Sequence, residues 1–184
     1  MTRSVVFVTV LFASVITCEA VAHPTHLALI PSESSVTYRL VHPLHEIEAT
    51  SKNVQYLLDA DVAAKKVEHV AAQVDVTTFD SGNSNRDSHA MEVIDAITYP
   101  DVRFMSTSIT QSGDSIHVTG RLTFHGVTRD VTIGGMLTWS SQELVMHGGF
   151  DLSLEAFKIE RPSLLMIPVE DKLSFTVTAA FSLP

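Results

Sequence analysis

The sequence predicts an all-β domain, a sandwich or a closed barrel of antiparallel strands, with one short helical insert. Three observations predict it. Apolar and polar residues alternate over successive stretches, the period of a half-buried strand. Turn signals such as Ser112-Gly113-Asp114, His125-Gly126 and Ser140-Ser141 separate those stretches at short intervals. Residues 83–104 alone break the pattern, with helical spacing in place of alternation. Closure into a barrel is favoured because it removes exposed strand edges, and about eight strands leave an interior able to hold one small ligand.

The chain opens on a targeting segment. Arg3 supplies the positive start, Val5 to Ile16 the apolar stretch, and Ala20-Val21-Ala22 a small-x-small cleavage site. The apolar stretch is too short to favour a spanning helix. The expected division is a leader over residues 1–22 and one barrel domain over 23–184, beginning at His23. The single cysteine, Cys18, falls in the leader, and Thr17 before it argues against lipidation. The mature chain then has no disulfide, so packing alone must hold it in an oxidising compartment. A bacterial-type periplasm is the expected destination. At 184 residues, 45 % hydrophobic and 18 % charged, the chain has the composition of a globular domain with a substantial core. Its net charge of −9 argues against a general nucleic-acid binder.

The elements follow in order. His23-Pro24-Thr25-His26 is a short lead-in. In residues 35–42, Val36, Tyr38 and Leu40 share one face and Ser35, Thr37 and Arg39 the other. Residues 46–58 are a noisier strand marked by Ile47, Val54 and Tyr56. Residues 67–76 place Val70, Ala72, Val74 and Val76 on one face. After a polar loop, Asn83 suits a helix cap, and Ala90, Met91 and Ile94 form one helical face over residues 87–94. Tyr99-Pro100 ends the insert. Alternation resumes at Val102 and Phe104. It continues through Ile116, Val118, Gly120, Leu122 and Phe124, then through Val127, Val131, Ile133 and Leu137 after the His125-Gly126 turn. Leu144, Met146, Gly148, Phe150 and Leu152 form the next set. Residues 154–168 are irregular, broken by Pro162 and Pro168. Leu173, Phe175, Val177, Ala179 and Phe181 make the last strand.

Three segments carry a resemblance. The first is Asn85-Arg86-Asp87-Ser88-His89 followed by Tyr99-Pro100, Phe104 and Ser106. The second runs from Gly120-Arg121-Leu122-Thr123 through His125-Gly126-Val127-Thr128 to Val131. The third is Ala156-Phe157-Lys158-Ile159 followed by Val169-Glu170-Asp171. In this order, behind a leader, they resemble the YceI-like family of periplasmic polyisoprenoid-binding proteins. The resemblance implies an extended lipocalin-like antiparallel barrel whose apolar tunnel takes an isoprenoid, a quinone or a similar long-chain amphiphile. The chain departs from the family pattern at Ile47-Glu48-Ala49-Thr50-Ser51, which lacks a glycine and an aromatic. It departs again at Val93-Ile94-Asp95-Ala96, where a phenylalanine pair is expected. Both departures reduce aromatic bulk and imply a wider or differently closed cavity.

Binding such a chain needs apolar area rather than a reactive group. Tyr38, Leu40, Val74, Leu122, Phe124, Phe150, Phe175 and Val177 are the candidate lining residues, each on an inward face. Alternation alone does not distinguish a lining residue from a core residue. Arg86-Asp87-x-His89 is read either as a headgroup site at the barrel mouth or as a helix start, the second being favoured. No catalytic residue, cofactor or metal is assigned: there is no Gly-x-Ser-x-Gly elbow and no phosphate-binding glycine loop. The expected activity is therefore binding, not catalysis. The alternatives are a metal-binding protein using His23, His26, His42 and His45 for Cu²⁺ or Zn²⁺, or a filled barrel serving as an interaction module. The sequence leaves a homodimer open.

Overall fold

The computed structural model describes residues 24–184. The expected leader and His23 lie outside the described residues. The strands are β1 (Thr25–His26), β2 (Ala28–Leu29), β3 (Ser35–His42), β4 (His45–Ser51), β5 (Val54–Asp61), β6 (Lys66–Asp75), β7 (Asp101–Ser112), β8 (Ser115–Phe124), β9 (Val127–Trp139), β10 (Glu143–Leu152), β11 (Ser163–Leu164), β12 (Ile167–Pro168) and β13 (Leu173–Ser182). Among the described residues one α-helix, α1 (Ser84–Val93), stands between β6 and β7. The fold is a lipocalin-like antiparallel barrel.

The main sheet runs β5-β6-β7-β8-β9-β10-β13-β3-β4, with β1 on β5 and β2 on β13. Residues 25–42 form one rising path, paired along one side with β13 through β2 and β3. Residues 45–61 form the falling path beside it. Pairs Thr25↔Ala60 and His26↔Asp59 join the two paths at one end, and Val36↔Ser51 through His42↔His45 join them at the other. Counted as paths, the barrel has eight. The ladder is interrupted between the two joined stretches. There the Tyr56 hydroxyl donates to the Ser35 carbonyl (3.2 Å), and Val36, Val54 and Val74 pack together.

Three expectations are corrected in detail. The strand expected over 46–58 is two, β4 and β5, because the chain changes partners at Lys52-Asn53, from β3 to β6. The Ser51 hydroxyl accepts the Asn53 amide there (3.1 Å), a local turn that ends the first segment. The lead-in is short strand, with Leu27 donating its amide to the Leu58 carbonyl (3.0 Å) and buried at 2 % exposure. The irregular stretch contains a 3-10 turn over Glu155–Phe157 and the β11–β12 hairpin. In β6 the register passes from Asp59↔His69 to Ala60↔Val67, leaving Glu68 as a bulge, so Val67 and Val70 both face the core.

Strand direction sorts the connections between two ends. The N-terminal path and the turns after β5, β7 and β9 close the lower end. The β3–β4 turn, the α1 insert, the His125-Gly126 turn and residues 153–172 gather at the upper end. The lower end is solid: Leu58, Ile116, Leu137, Leu144 and Phe181 are each at 2 % exposure or less.

Candidate ligand-binding site

Above that packed floor the barrel is open. A cavity of about 240 Å³ runs up to α1, lined by inward residues of the barrel strands and by the lid. One enclosed water needs only about 10–15 Å³ by the same measure, so this space suits a chain of many atoms. Tyr38 and Leu40 of β3, Val74 of β6, Leu122 and Phe124 of β8, Phe150 of β10, and Phe175 and Val177 of β13 all lie on its wall. Five of these eight (Tyr38, Leu40, Phe150, Phe175 and Val177) are only half-buried although they point inward, because the cavity leaves their faces uncovered.

Register arranges the aromatics in a row. Phe150 opposes Phe175, and Phe175 opposes Tyr38. The Phe150 and Phe175 rings stack at 5.0 Å and 11°, and Tyr38 meets Phe79 at 5.3 Å. Formal charge is confined to the lid: among the described residues lining the cavity, Arg86 and Asp87 are the only lysine, arginine, aspartate or glutamate residues. Asp87 accepts the Ser81 amide (3.2 Å) and hydroxyl, while Arg86 donates to the Ser81 hydroxyl (2.8 Å) and carbonyl (2.6 Å). These bonds pin the start of α1, whose N-cap Asn83 accepts from the amides of Asn85 and Arg86 (3.1 Å each). Arg86 and Asp87 therefore fix the helix start, and they also face the cavity. Burial, and then the Asp87 carboxylate, push the Tyr38 phenol above its ordinary value, against the pull of Arg86. Tyr38 stays a neutral hydroxyl donor beneath the lid. Burial raises the Tyr56 phenol strongly as well.

The lid lies across the mouth with Ala90, Met91, Val93 and Ile94 on the cavity side. Its lead-in is tied to β4 by Thr50 and Asp80, which exchange backbone hydrogen bonds (3.0 and 3.1 Å). Both stretches with reduced aromatic bulk contribute to the wall, through Ile47 and through Val93 and Ile94.

Sequence reasoning missed other parts. Ile159 and Pro162, from the irregular stretch, and Val169 just after it complete the wall, and no periodicity marks them. Gly135 and Gly148 oppose each other across β9 and β10 and leave bare backbone on the cavity face. A Cβ on Gly135 would come within 2.5 Å of the His147 carbonyl oxygen. Two Gly-Gly pairs, at 134–135 and 148–149, were the available signal.

The histidine constellation does not assemble. His26 sits at the lower end, with Nδ1 3.0 Å from Asp59, whereas His42 and His45 face each other at the upper end with rings 5.1 Å apart. His42 is buried with both nitrogens engaged: Nδ1 accepts the Leu44 amide (3.2 Å) and Nε2 meets the Ile167 carbonyl (3.0 Å). Among the described residues no group of three or more His, Cys, Asp or Glu is placed to hold a metal ion. Among them, too, no helix is long and apolar enough to cross a membrane.

Comparison with known proteins fits this architecture. The family described as the YceI-like domain matches residues 27–181. A UPF0312 protein of Pseudomonas putida is 30 % identical over 125 residues, 63 % of this chain and 65 % of that relative, so the chain spans just under two thirds of its length. The crystal structure of BcnA from Burkholderia cenocepacia superposes with a TM-score of 0.75 at 22 % identity, covering 83 % of this chain and 98 % of that one. A polyisoprenoid binding domain from Saccharophagus degradans superposes with a TM-score of 0.61 at 10 % identity, covering 88 % and 100 %. At these identities the structural likeness is one of fold.

Proposed function

The chain belongs to the YceI-like family, and we propose that within it this protein is a periplasmic carrier that holds one long-chain amphiphile inside its barrel. The cargo class is an isoprenoid, such as a polyprenyl chain or an isoprenoid quinone. The apolar tail would lie against Leu40, Val74, Leu122, Phe124 and Val177, beside the Phe150–Phe175–Tyr38 row. The polar end would sit under α1, within reach of the neutral Tyr38 hydroxyl and of Arg86 and Asp87. Residues 1–22 would direct export and be removed.

One observation carries the reading: the barrel wall is predominantly apolar, and the lysine, arginine, aspartate or glutamate side chains among its described lining residues are confined to the lid. A tail removed from water along that wall gains roughly 25 cal/mol per Å² of apolar area before association costs. Of the titratable groups on the cavity wall, Arg86 and Asp87 are tied to Ser81 at the start of α1, which favours carriage over catalysis. The Saccharophagus degradans domain, described as polyisoprenoid-binding, lends the ligand class its support.

The test is to purify the exported protein from its native host, extract it with organic solvent and identify the lipids by mass spectrometry. One lipid class near one molecule per chain is expected. Protein free of lipid, together with a crystal structure whose interior is filled by side chains, overturns the reading.

A further inference from the structure

The β11–β12 hairpin is built against the ordinary chemistry of a tight turn. Its two central residues, Leu165 and Met166, have φ of 53° and 67°. A two-residue turn with both residues left-handed normally takes Asn-Gly or another small polar pair, because a bulky side chain is strained there. Here the positions carry large apolar side chains, at 76 % and 95 % exposure. Leu164 and Ile167 flank them at 46 % and 40 %. The tip is held rather than loose. The Val169 amide donates to the Pro162 carbonyl (2.9 Å), and the buried His42 ring meets the Ile167 carbonyl.

Position gives this tip a purpose. Pro162 and Val169, at its base, line the cavity. Leu44, 60 % exposed, stands in the β3–β4 turn that the hairpin leans on, and Ile97, 97 % exposed, follows α1 at the same end. Six of the nine exposed bulky apolar residues among those described therefore belong to connections around the cavity mouth. A projecting apolar tip fits a soft apolar medium better than the concave surface of a folded partner. The net charge of −9 points to insertion rather than attraction to anionic headgroups.

We propose that the β11–β12 hairpin, with Leu44 and Ile97 beside it, is a membrane-docking tip that inserts into the interfacial layer of a lipid bilayer and sets the cavity mouth against it. The tip rests on the carrier reading only for its purpose, since docking itself needs no cargo.

Lipid-stripped protein is floated with phosphatidylcholine vesicles and with vesicles of phosphatidylcholine and phosphatidylglycerol. Partition onto both, little changed by salt, is expected. The variant Leu165→Asn/Met166→Gly installs the residues that the turn prefers, so it should fold at least as well, as thermal melting will verify. Its partition should fall at least about tenfold. Met105→Ser, which removes an exposed apolar residue from the outer barrel wall, should leave partition unchanged. Equal partition of the turn variant and the unaltered protein overturns the proposal, as does absence of the unaltered protein from the vesicle fraction. So does a concentration-dependent dimer, seen by light scattering and lost in the turn variant, because the tip then meets a second copy. Mass spectrometry of each variant as purified reports cargo separately: retained lipid without flotation sinks docking alone, and flotation without lipid sinks the carrier reading alone.

Discussion

At the scale of single residues, Gly120 sets the tightest constraint. A Cβ there would lie 2.4 Å from the Met105 carbonyl oxygen and 2.6 Å from Cζ of Phe104, against backbone and a buried ring that have little room to move. We expect Gly120→Ala to cost about 1–3 kcal/mol, the usual range for overpacking. It should appear as a lower urea midpoint with an unchanged slope. Gly134 is the contrast, since its Cβ would meet only the His117 ring at 3.8 Å. Gly134→Ala should change stability by less than about 0.5 kcal/mol. Equal effects at the two sites would remove the steric explanation. Gly120 was visible in the sequence as the start of the Gly-Arg-Leu-Thr segment, but its reason was not, because the ring that crosses it comes from another strand. His125-Gly126 was legible with its reason: both residues have positive φ, as a tight hairpin turn demands.

At the scale of elements, the strands were legible because burial imposes alternation, and the helix was legible from its cap and spacing. What escaped was whatever alternation does not encode. A change of pairing partner at Lys52-Asn53 leaves the inward face of each segment intact. The β11–β12 hairpin hides because Leu165 and Met166 stand where a turn signal is expected. The lid itself has no fully buried residue, so its caps and pins matter more than its packing. Asn83→Ala should therefore weaken α1 locally by about 1 kcal/mol. Amide exchange in residues 84–93 should quicken roughly fivefold while β8 and β9 are unaffected. Uniform quickening across the barrel would mean that the lid and barrel open together. The opposite rim is held by Asp171, which accepts the Glu155 amide (2.9 Å) and the Ser153 hydroxyl (2.6 Å). Those bonds, the amide first, lower its carboxyl below the ordinary 3.8. A carboxyl depressed by folding stabilises above its unfolded value, and that contribution is lost as pH falls through the folded one. The Asp171 carboxyl carbon resonance should titrate with a midpoint below the ordinary 3.8, and Asp171→Asn should quicken exchange of the Glu155 amide. A midpoint above the ordinary carboxyl value would contradict the pinning.

At the scale of the whole molecule, alternation reports which side chains point inward but not whether they meet. Tyr38, Phe150 and Phe175 carry the same sequence signature as Leu137 and Leu144. The first three line an open cavity, and the last two fill the floor. What separates them is height in the barrel, set by shear, by the N-terminal path and by the bare backbone at Gly135 and Gly148, none of which has a period. An open apolar interior leaves stability ungained until something fills it. Cargo that binds only the folded barrel adds about 2.7 kcal/mol when its concentration is a hundred times its dissociation constant. For a domain of this size that corresponds to a rise in Tm of about 5–10 °C. Val177→Phe, which adds bulk at the cavity wall, should raise the Tm of the lipid-free protein and shrink the increment that added polyprenol or quinone produces. The two effects should trade against each other in one calorimetric series, because the same space cannot be filled twice. A lipid increment that survives Val177→Phe in full would place the cargo outside the barrel.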